Sequence, residues 1–129
     1  MVNKPVFIST NKAAAAVGPY SQAVDAGGMV FVSGQLGLDP ETGVFAGTEL
    51  AAQARRAMEN MREILAAAGL GLEHVVAVDV FLIDMGCFAE FNDIYAEFFG
   101  DHKPARAVVE VRGLPKGGLV EVKCIAVRP

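Results

Sequence analysis

The stretch from Leu50 to Ala68 constrains the fold more than any other. Apolar residues recur at Leu50, Ala54, Ala57, Met58, Met61, Ile64, Leu65 and Ala68. Steps of three and four put them on one face of an α-helix. Gln53, Arg55, Arg56, Glu59, Asn60 and Glu63 lie mostly off that face. Thr48 is the expected N-cap, and Glu49 complements the positive end of the helix. Gly69 ends it as a C-cap. A helix apolar on one side must lie against another apolar layer, and the flanking segments read as strands that could supply it.

Val75 to Ile83 is a nearly continuous apolar run of strand length, so burial on both faces is expected. Asp79 interrupts it and needs a partner or water, at an oligomer axis for example. A structural role for Asp79 outweighs a catalytic one. Phe88, Phe91, Ile94, Tyr95 and Phe98 step at helical spacing. They predict a second amphipathic helix from about Phe88 to Phe99, ended by Gly100, with the aromatic stripe as core. Pro5 to Ser9 reads as a short first strand. Thr10 to Gly18 is irregular, because its alanine run is too short to hold a helix alone. Gly18-Pro19-Tyr20 is a turn that sets Tyr20 in a defined position. Ala23 to Ala26 and Met29 to Ser33 flank Gly27-Gly28, a hairpin signal. The second of these strands should end at Gly34. Gln35 to Gly47 reads as a loop, with turn chemistry at Asp39-Pro40-Glu41-Thr42-Gly43.

Two further strands close the chain. In Pro104 to Val111, alternation puts Ala105, Ala107, Val109 and Val111 on one face and Arg106, Val108 and Glu110 on the other. The run Leu119 to Val127 carries charge at Glu121 and Lys123. Arg112 to Gly118, rich in Gly and Pro, links them as a turn. The order β-β-β-α-β-α-β-β predicts a single α+β domain over residues 1–129, one sheet with both helices packed on one face. The two late strands are expected to point a charged group each toward one cleft. On pattern alone, Arg106 and Glu121 read more simply as a salt bridge on the wet face of a sheet.

Composition narrows the functional classes. An apolar share of 53% is high for 129 residues, and a subunit interface is the economical place for the excess. The net charge of −4 argues against a dedicated nucleic-acid surface. No secretory segment or membrane-length apolar run is seen. Cys87 and Cys124 imply no disulfide framework, and packing explains both; a reducing cytoplasmic setting is the simple reading. His74, His102, Cys87 and Cys124 are scattered without ligand spacing, so no metal is expected. There is no phosphate-cradling glycine loop and no serine elbow. His74 and His102 read as surface loop residues.

Five segments carry a family resemblance: Gly18-Pro19-Tyr20-Ser21-Gln22-Ala23, Ser33-Gly34-Gln35, Pro104-Ala105-Arg106, Leu114-Pro115-Lys116-Gly117, and Val120-Glu121-Val122 running on to Ile125-Ala126-Val127. In this order they span nearly the whole chain, and the sequence resembles the RidA (reactive intermediate deaminase) family, also called YjgF. The resemblance implies a chorismate-mutase-like fold, a homotrimer, and ligand sites in clefts between subunits. It implies hydrolysis of 2-imino acids and their enamine tautomers, such as 2-iminobutanoate and 2-iminopropanoate, to 2-oxo acids and ammonia. No cofactor, metal or membrane is implied.

The same resemblance carries roles onto residues. Arg106 matches the arginine that clamps the substrate carboxylate, and its planar fork suits that task. Glu121 matches the carboxylate near the attacking water. Tyr20, Ser33 and Asn92 match residues lining the cleft. Gly34 and Val108 match positions where backbone approaches the ligand. Many members carry cysteine where this chain has Val108, and an aromatic residue often stands where it has Lys103. Two other readings stay open: a non-catalytic binder of small 2-oxo acids, and a ribonuclease or translation inhibitor, as some relatives are described.

Overall fold

A computed structural model describes residues 4–129. Its elements are β1 (Val6–Ile8), β2 (Ala23–Ala26), β3 (Met29–Leu36), α1 (Leu50–Ala67), β4 (Val75–Leu82), α2 (Phe88–Phe99), β5 (Ala105–Glu110) and β6 (Val120–Val127). The strands form one six-stranded sheet in the order β1-β2-β3-β6-β4-β5. Every pairing is antiparallel except β4 with β5, which is parallel. A parallel pair needs a crossover, and α2 provides it. The predicted element order and the single mixed sheet with two helices are therefore present.

Strand alternation divides the sheet into a covered and an open face. On β6, Val120, Val122, Cys124 and Ala126 are buried against α1, while Glu121, Lys123, Ile125 and Val127 turn away. Val30 and Val32 of β3 join the covered side with Val78, Val80 and Leu82 of β4. From the helices come Met58, Met61, Ile64, Leu65, Phe91 and Ile94. This covered face is the hydrophobic core. The open face carries Phe7, Met29, Phe31, Val109 and Val127, all exposed.

Several local expectations are corrected. β4 is not buried on both faces: Val76 is exposed, and Ala77, Asp79 and Phe81 are only half-buried. Both helices lie on the other side, so no described element of the protomer covers these residues. Thr48 is not the N-cap of α1; Glu49 holds that position in extended backbone, without a side-chain capping bond. Gly69 stands just past the C-cap Ala68, at a φ of 78° that glycine adopts without strain. The segment 112–118 is not a hairpin, because β4 lies between β5 and β6. It holds instead a short helical turn at Pro115–Gly117.

β3 does not end at Gly34. It runs on to Leu36 through a bulge, since Val32 pairs with Cys124 but Gln35 with Val122. Three steps on one strand oppose two on the other, so one extra residue sits at Ser33-Gly34. Two polar residues of α1 hold the end of this strand. Asn60, fully buried, donates from Nδ2 to the Leu36 and Leu38 carbonyls at 3.1 and 2.9 Å. Gln53 donates to the Gly47 carbonyl at 3.0 Å and accepts from the Leu119 N–H at 2.9 Å. Both lie within the buried side of α1, where they satisfy backbone groups that the ladder cannot reach.

Asn60→Leu is expected to destabilise the protein by about 2–4 kcal/mol, because two carbonyls lose their donor in a dry site. Urea denaturation measures it. A loss below about 0.5 kcal/mol, the size of an ordinary surface change, would show that these carbonyls find other partners.

Candidate functional site

The strongest site residues sit on two faces of one sheet. Glu121 lies on the open face of β6, opposite Leu36 and Phe81 in register. Arg106 lies opposite Val78, a core residue, and so projects from the covered face of β5, beside α2. A residue and its direct cross-strand partner share a face. The two charges therefore do not face one cleft within a protomer, and they form no salt bridge with each other. Within one protomer, the register of β4 with β5 and β6 keeps the two charges apart.

The first candidate region is a cavity of about 590 Å³ lined in part by Tyr20, Ser33, Gly34, Lys116, Glu121 and Lys123. The bulge at Ser33-Gly34 brings backbone against Glu121: a Cβ added at Gly34 would lie 2.8 Å from Glu121 Cδ. A side chain there would push the carboxylate aside, so glycine at this position leaves room for Glu121 to lie against the bulge. Burial pushes the Glu121 carboxyl above its ordinary range, and the nearby Lys123 charge opposes that shift. Ser33 is anchored, its hydroxyl donating to the Ser21 carbonyl at 2.6 Å and its N–H to the Gln22 carbonyl at 2.9 Å. Lys116 has a φ of 58°, a left-handed conformation uncommon outside glycine. Tyr20 is half exposed at the rim, after a tight turn in which its N–H donates to the Gly18 carbonyl.

The cavity wall depends on Gln22, whose role sequence reasoning missed. Gln22 is buried, accepts from the Thr10 N–H at 2.7 Å, and donates to the Thr10 and Ala14 carbonyls. It pins the irregular segment 10–18 over the cavity. A buried glutamine beside a strand is a signal only once its neighbours are known. Gln35 does a smaller version of the same task, donating to the Ser33 carbonyl across the bulge.

A second candidate region lies toward the β5 edge of the sheet. Asn92, Tyr95, His102, Lys103, Pro104 and Arg106 line a depression of about 350 Å³. The Arg106 guanidinium lies 4.6 Å over the Tyr95 ring and 5.8 Å from that of Phe88. Among the described residues no carboxylate bridges it. β5 is the sheet edge. The Val111 N–H donates to the Leu82 carbonyl at 2.8 Å, so by the alternation of a parallel ladder the odd-numbered residues turn their backbone toward β4. Arg106, Val108 and Glu110 thus present N–H and C=O at a free edge. His102 is no loose loop residue: its Nε2 lies 2.7 Å from the Val75 carbonyl, tying the end of α2 to β4.

The remaining candidates stand apart. Cys124 packs in the core, where burial pushes its thiol up to about 12, and burial raises Cys87 as well. Both thiols are therefore poor nucleophiles at neutral pH. Among the described residues, no three His, Cys, Asp or Glu side chains gather where a metal could be held. Among the described residues no helix is long and apolar enough to cross a membrane.

Glu121 sets a pH signature. Its folded pKa is raised, so ionising it disfavours the fold: its contribution is favourable below the ordinary carboxylate range and is lost as pH rises through the raised value. Glu121→Gln does not titrate. Its melting temperature relative to the parent should therefore be higher at pH 8 than at pH 4, and thermal denaturation at the two pH values reads this. A difference independent of pH would mean that the carboxylate is well solvated.

Comparison with known proteins places this geometry. The family model described as Endoribonuclease L-PSP matches residues 10–128. The 2-iminobutanoate/2-iminopropanoate deaminase of Bos taurus is 47% identical over 122 residues, covering 95% of this chain and 89% of its own. RidA from the Antarctic bacterium Psychrobacter sp. superposes with a TM-score of 0.92 at 46% identity, covering 95% of this chain and 98% of its own. E. coli TdcF with bound serine superposes with a TM-score of 0.92 at 41% identity, covering 96% of this chain and 99% of that one. A family match over residues 10–128, which hold five of the six strands and both helices, makes this chain a member of the RidA/YjgF family.

Proposed function

We propose that the protein hydrolyses small 2-imino acids to 2-oxo acids and ammonia, at sites that form where the Arg106 edge of one protomer meets the Glu121 cavity of the next in a homotrimer. The observation that carries this reading is the unbridged guanidinium of Arg106, held by aromatic faces at a free strand edge. A planar fork without an internal carboxylate is suited to a bidentate carboxylate from outside. The names of relatives agree in kind: bovine, goat and mouse proteins at 46–47% identity are called 2-iminobutanoate/2-iminopropanoate deaminases. Serine bound to the TdcF relative is itself a small amino acid with a carboxylate. The net charge of −4 favours a small acid over RNA as substrate.

In this mechanism Arg106 grips the carboxylate, and the backbone of Arg106 and Val108 at the strand edge lies along the substrate. Holding the carboxylate orients the C=N carbon, which supplies the proximity contribution. Glu121, over Gly34, orients a water toward that carbon. The water oxygen bonds to carbon as the C=N π pair moves to nitrogen, giving a carbinolamine. One proton of the water passes to the nitrogen; the hydroxyl proton then follows, the C=O bond forms as the C–N bond breaks, ammonia leaves and the 2-oxo acid remains. Tyr20, Ser33 and Asn92 line the cleft and order its polar groups. Imines hydrolyse unaided in water, so this sparse site has a modest barrier to lower.

Assembly follows from the same register. With Arg106 and Glu121 on opposite faces, one protomer cannot bring them together. The open face, with Met29, Phe31, Val109 and Val127 exposed, is the apolar surface that a second copy would cover.

The reading is tested with freshly generated 2-iminobutanoate, following 2-oxobutanoate and ammonia. Arg106→Ala is expected to abolish turnover with the fold intact, and Arg106→Lys to lose most of it. Glu121→Gln should slow turnover while 2-oxobutanoate still binds, as calorimetry would record. Mixing unfolded Arg106→Ala and Glu121→Gln chains and refolding them together should restore about a quarter of the parent's sites, since each site draws one residue from each of two randomly chosen protomers. No recovery, or an active monomer in light scattering, would sink the shared-site model. Near-normal turnover by Arg106→Ala would sink the clamp.

A further inference from the structure

Among the described residues, two buried side-chain atoms find no hydrogen-bond partner: the Tyr95 hydroxyl oxygen and Asn92 Oδ1. They stand three residues apart on α2, and both residues line the Arg106 depression. A buried hydroxyl without a partner costs stability. Within the protomer the hydroxyl makes no hydrogen bond that a phenylalanine would lack, so the contacts Tyr95 does make are those of its ring. The ring face lies under the Arg106 guanidinium at 4.6 Å. The ring is itself immobilised, with Phe91 at 5.9 Å and Phe99 at 4.6 Å, one helical turn to either side. Phe91 is fully buried and Phe99 nearly so, which roots this platform in the core. Arg106 by contrast is exposed and has no salt bridge among the described residues. A long side chain at the surface samples many rotamers unless something holds it.

We infer that Tyr95 is a positioning residue: its ring face, clamped between Phe91 and Phe99, aims the Arg106 fork for carboxylate recognition, while its hydroxyl is dispensable. This rests on the carboxylate-clamp reading given above. Phe88 supplies a second, more distant ring and so a weaker constraint.

The test compares Tyr95→Phe, Tyr95→Leu and Arg106→Ala by 2-oxobutanoate calorimetry and by the Arg106 Nε–H proton resonance, identified by its loss in Arg106→Ala. Tyr95→Phe keeps the ring, so its Kd should stay within about twofold of the parent and its melting temperature should not fall. Tyr95→Leu removes the ring, and Kd should rise about three- to tenfold, the range expected for a cation over an aromatic face at a partly exposed site. The Arg106 resonance should be ring-current shifted in the parent and in Tyr95→Phe, and lose most of that shift in Tyr95→Leu. An unshifted resonance in the parent overturns the inference even if Tyr95→Leu does not fold. Equal losses in Tyr95→Phe and Tyr95→Leu would assign the role to the hydroxyl and overturn it too. If Arg106→Ala loses binding while Tyr95→Leu retains it, the positioning role alone fails. If Arg106→Ala binds normally, the carboxylate clamp itself is wrong.

Discussion

Side chains on a strand alternate, and in this protein the helices lie on one side of the sheet. That combination governs everything about the site. Both helices cover the face bearing Val120, Val122, Val78 and Val80. Register then assigns Arg106 to the covered side and Glu121 to the open side. A shift of one residue in the pairing of β4 with β5 would move Arg106 to the other face. Val108, which shares the face of Arg106 on β5, packs against the core and opposes such a slip, so the same pairing sets that packing and the side of Arg106.

The cavity around Glu121 owes its form to a local departure from regular structure. One extra residue at Ser33-Gly34 bends β3 and brings its backbone under the carboxylate. The bulge is held from three directions: Ser33 to the 21–22 backbone, Gln35 back to the Ser33 carbonyl, and Asn60 of α1 to the carbonyls beyond. Amide side chains are well suited to this work, because each can donate and accept at once. The price is a desolvated carboxylate with a raised pKa. Such groups are expected at a site where a charge must act on a small bound molecule.

On the other side, aromatic residues do double duty. The stripe of α2 packs the helix onto the sheet, through Phe91 and Phe99, and its outer ring faces carry Arg106. A guanidinium stacked on rings is directed without being neutralised, whereas an internal carboxylate would direct it and also occupy it. The edge position of β5 adds backbone groups with no strand partner beside the guanidinium. An edge of this kind invites pairing with other chains, and the charged side chains at Arg106 and Glu110 temper that tendency.

Much of this was legible from the chain alone. The three- and four-residue spacing of Leu50 to Ala68 and of the α2 aromatics marks helices because a helix buries one stripe. Alternation and turn chemistry mark most strands for the same reason of local geometry, and five short motifs carry the family likeness. The bulge was not legible, since Ser33-Gly34 reads as a strand end when the β6 register is unknown. Gln53 and Asn60 read as lying off the apolar face of α1, and Gln22 only as part of a motif, because what satisfies a buried amide is backbone distant in sequence. Nor could the chain reveal that Arg106 and Glu121 fall on opposite faces. Sequence determined which side chains share a face within each regular run of strand, since that depends only on a two-residue period; β3 past its bulge is the exception. Only the tertiary structure decided which of those faces the helices cover, because that depends on long-range pairing of β4, β5 and β6.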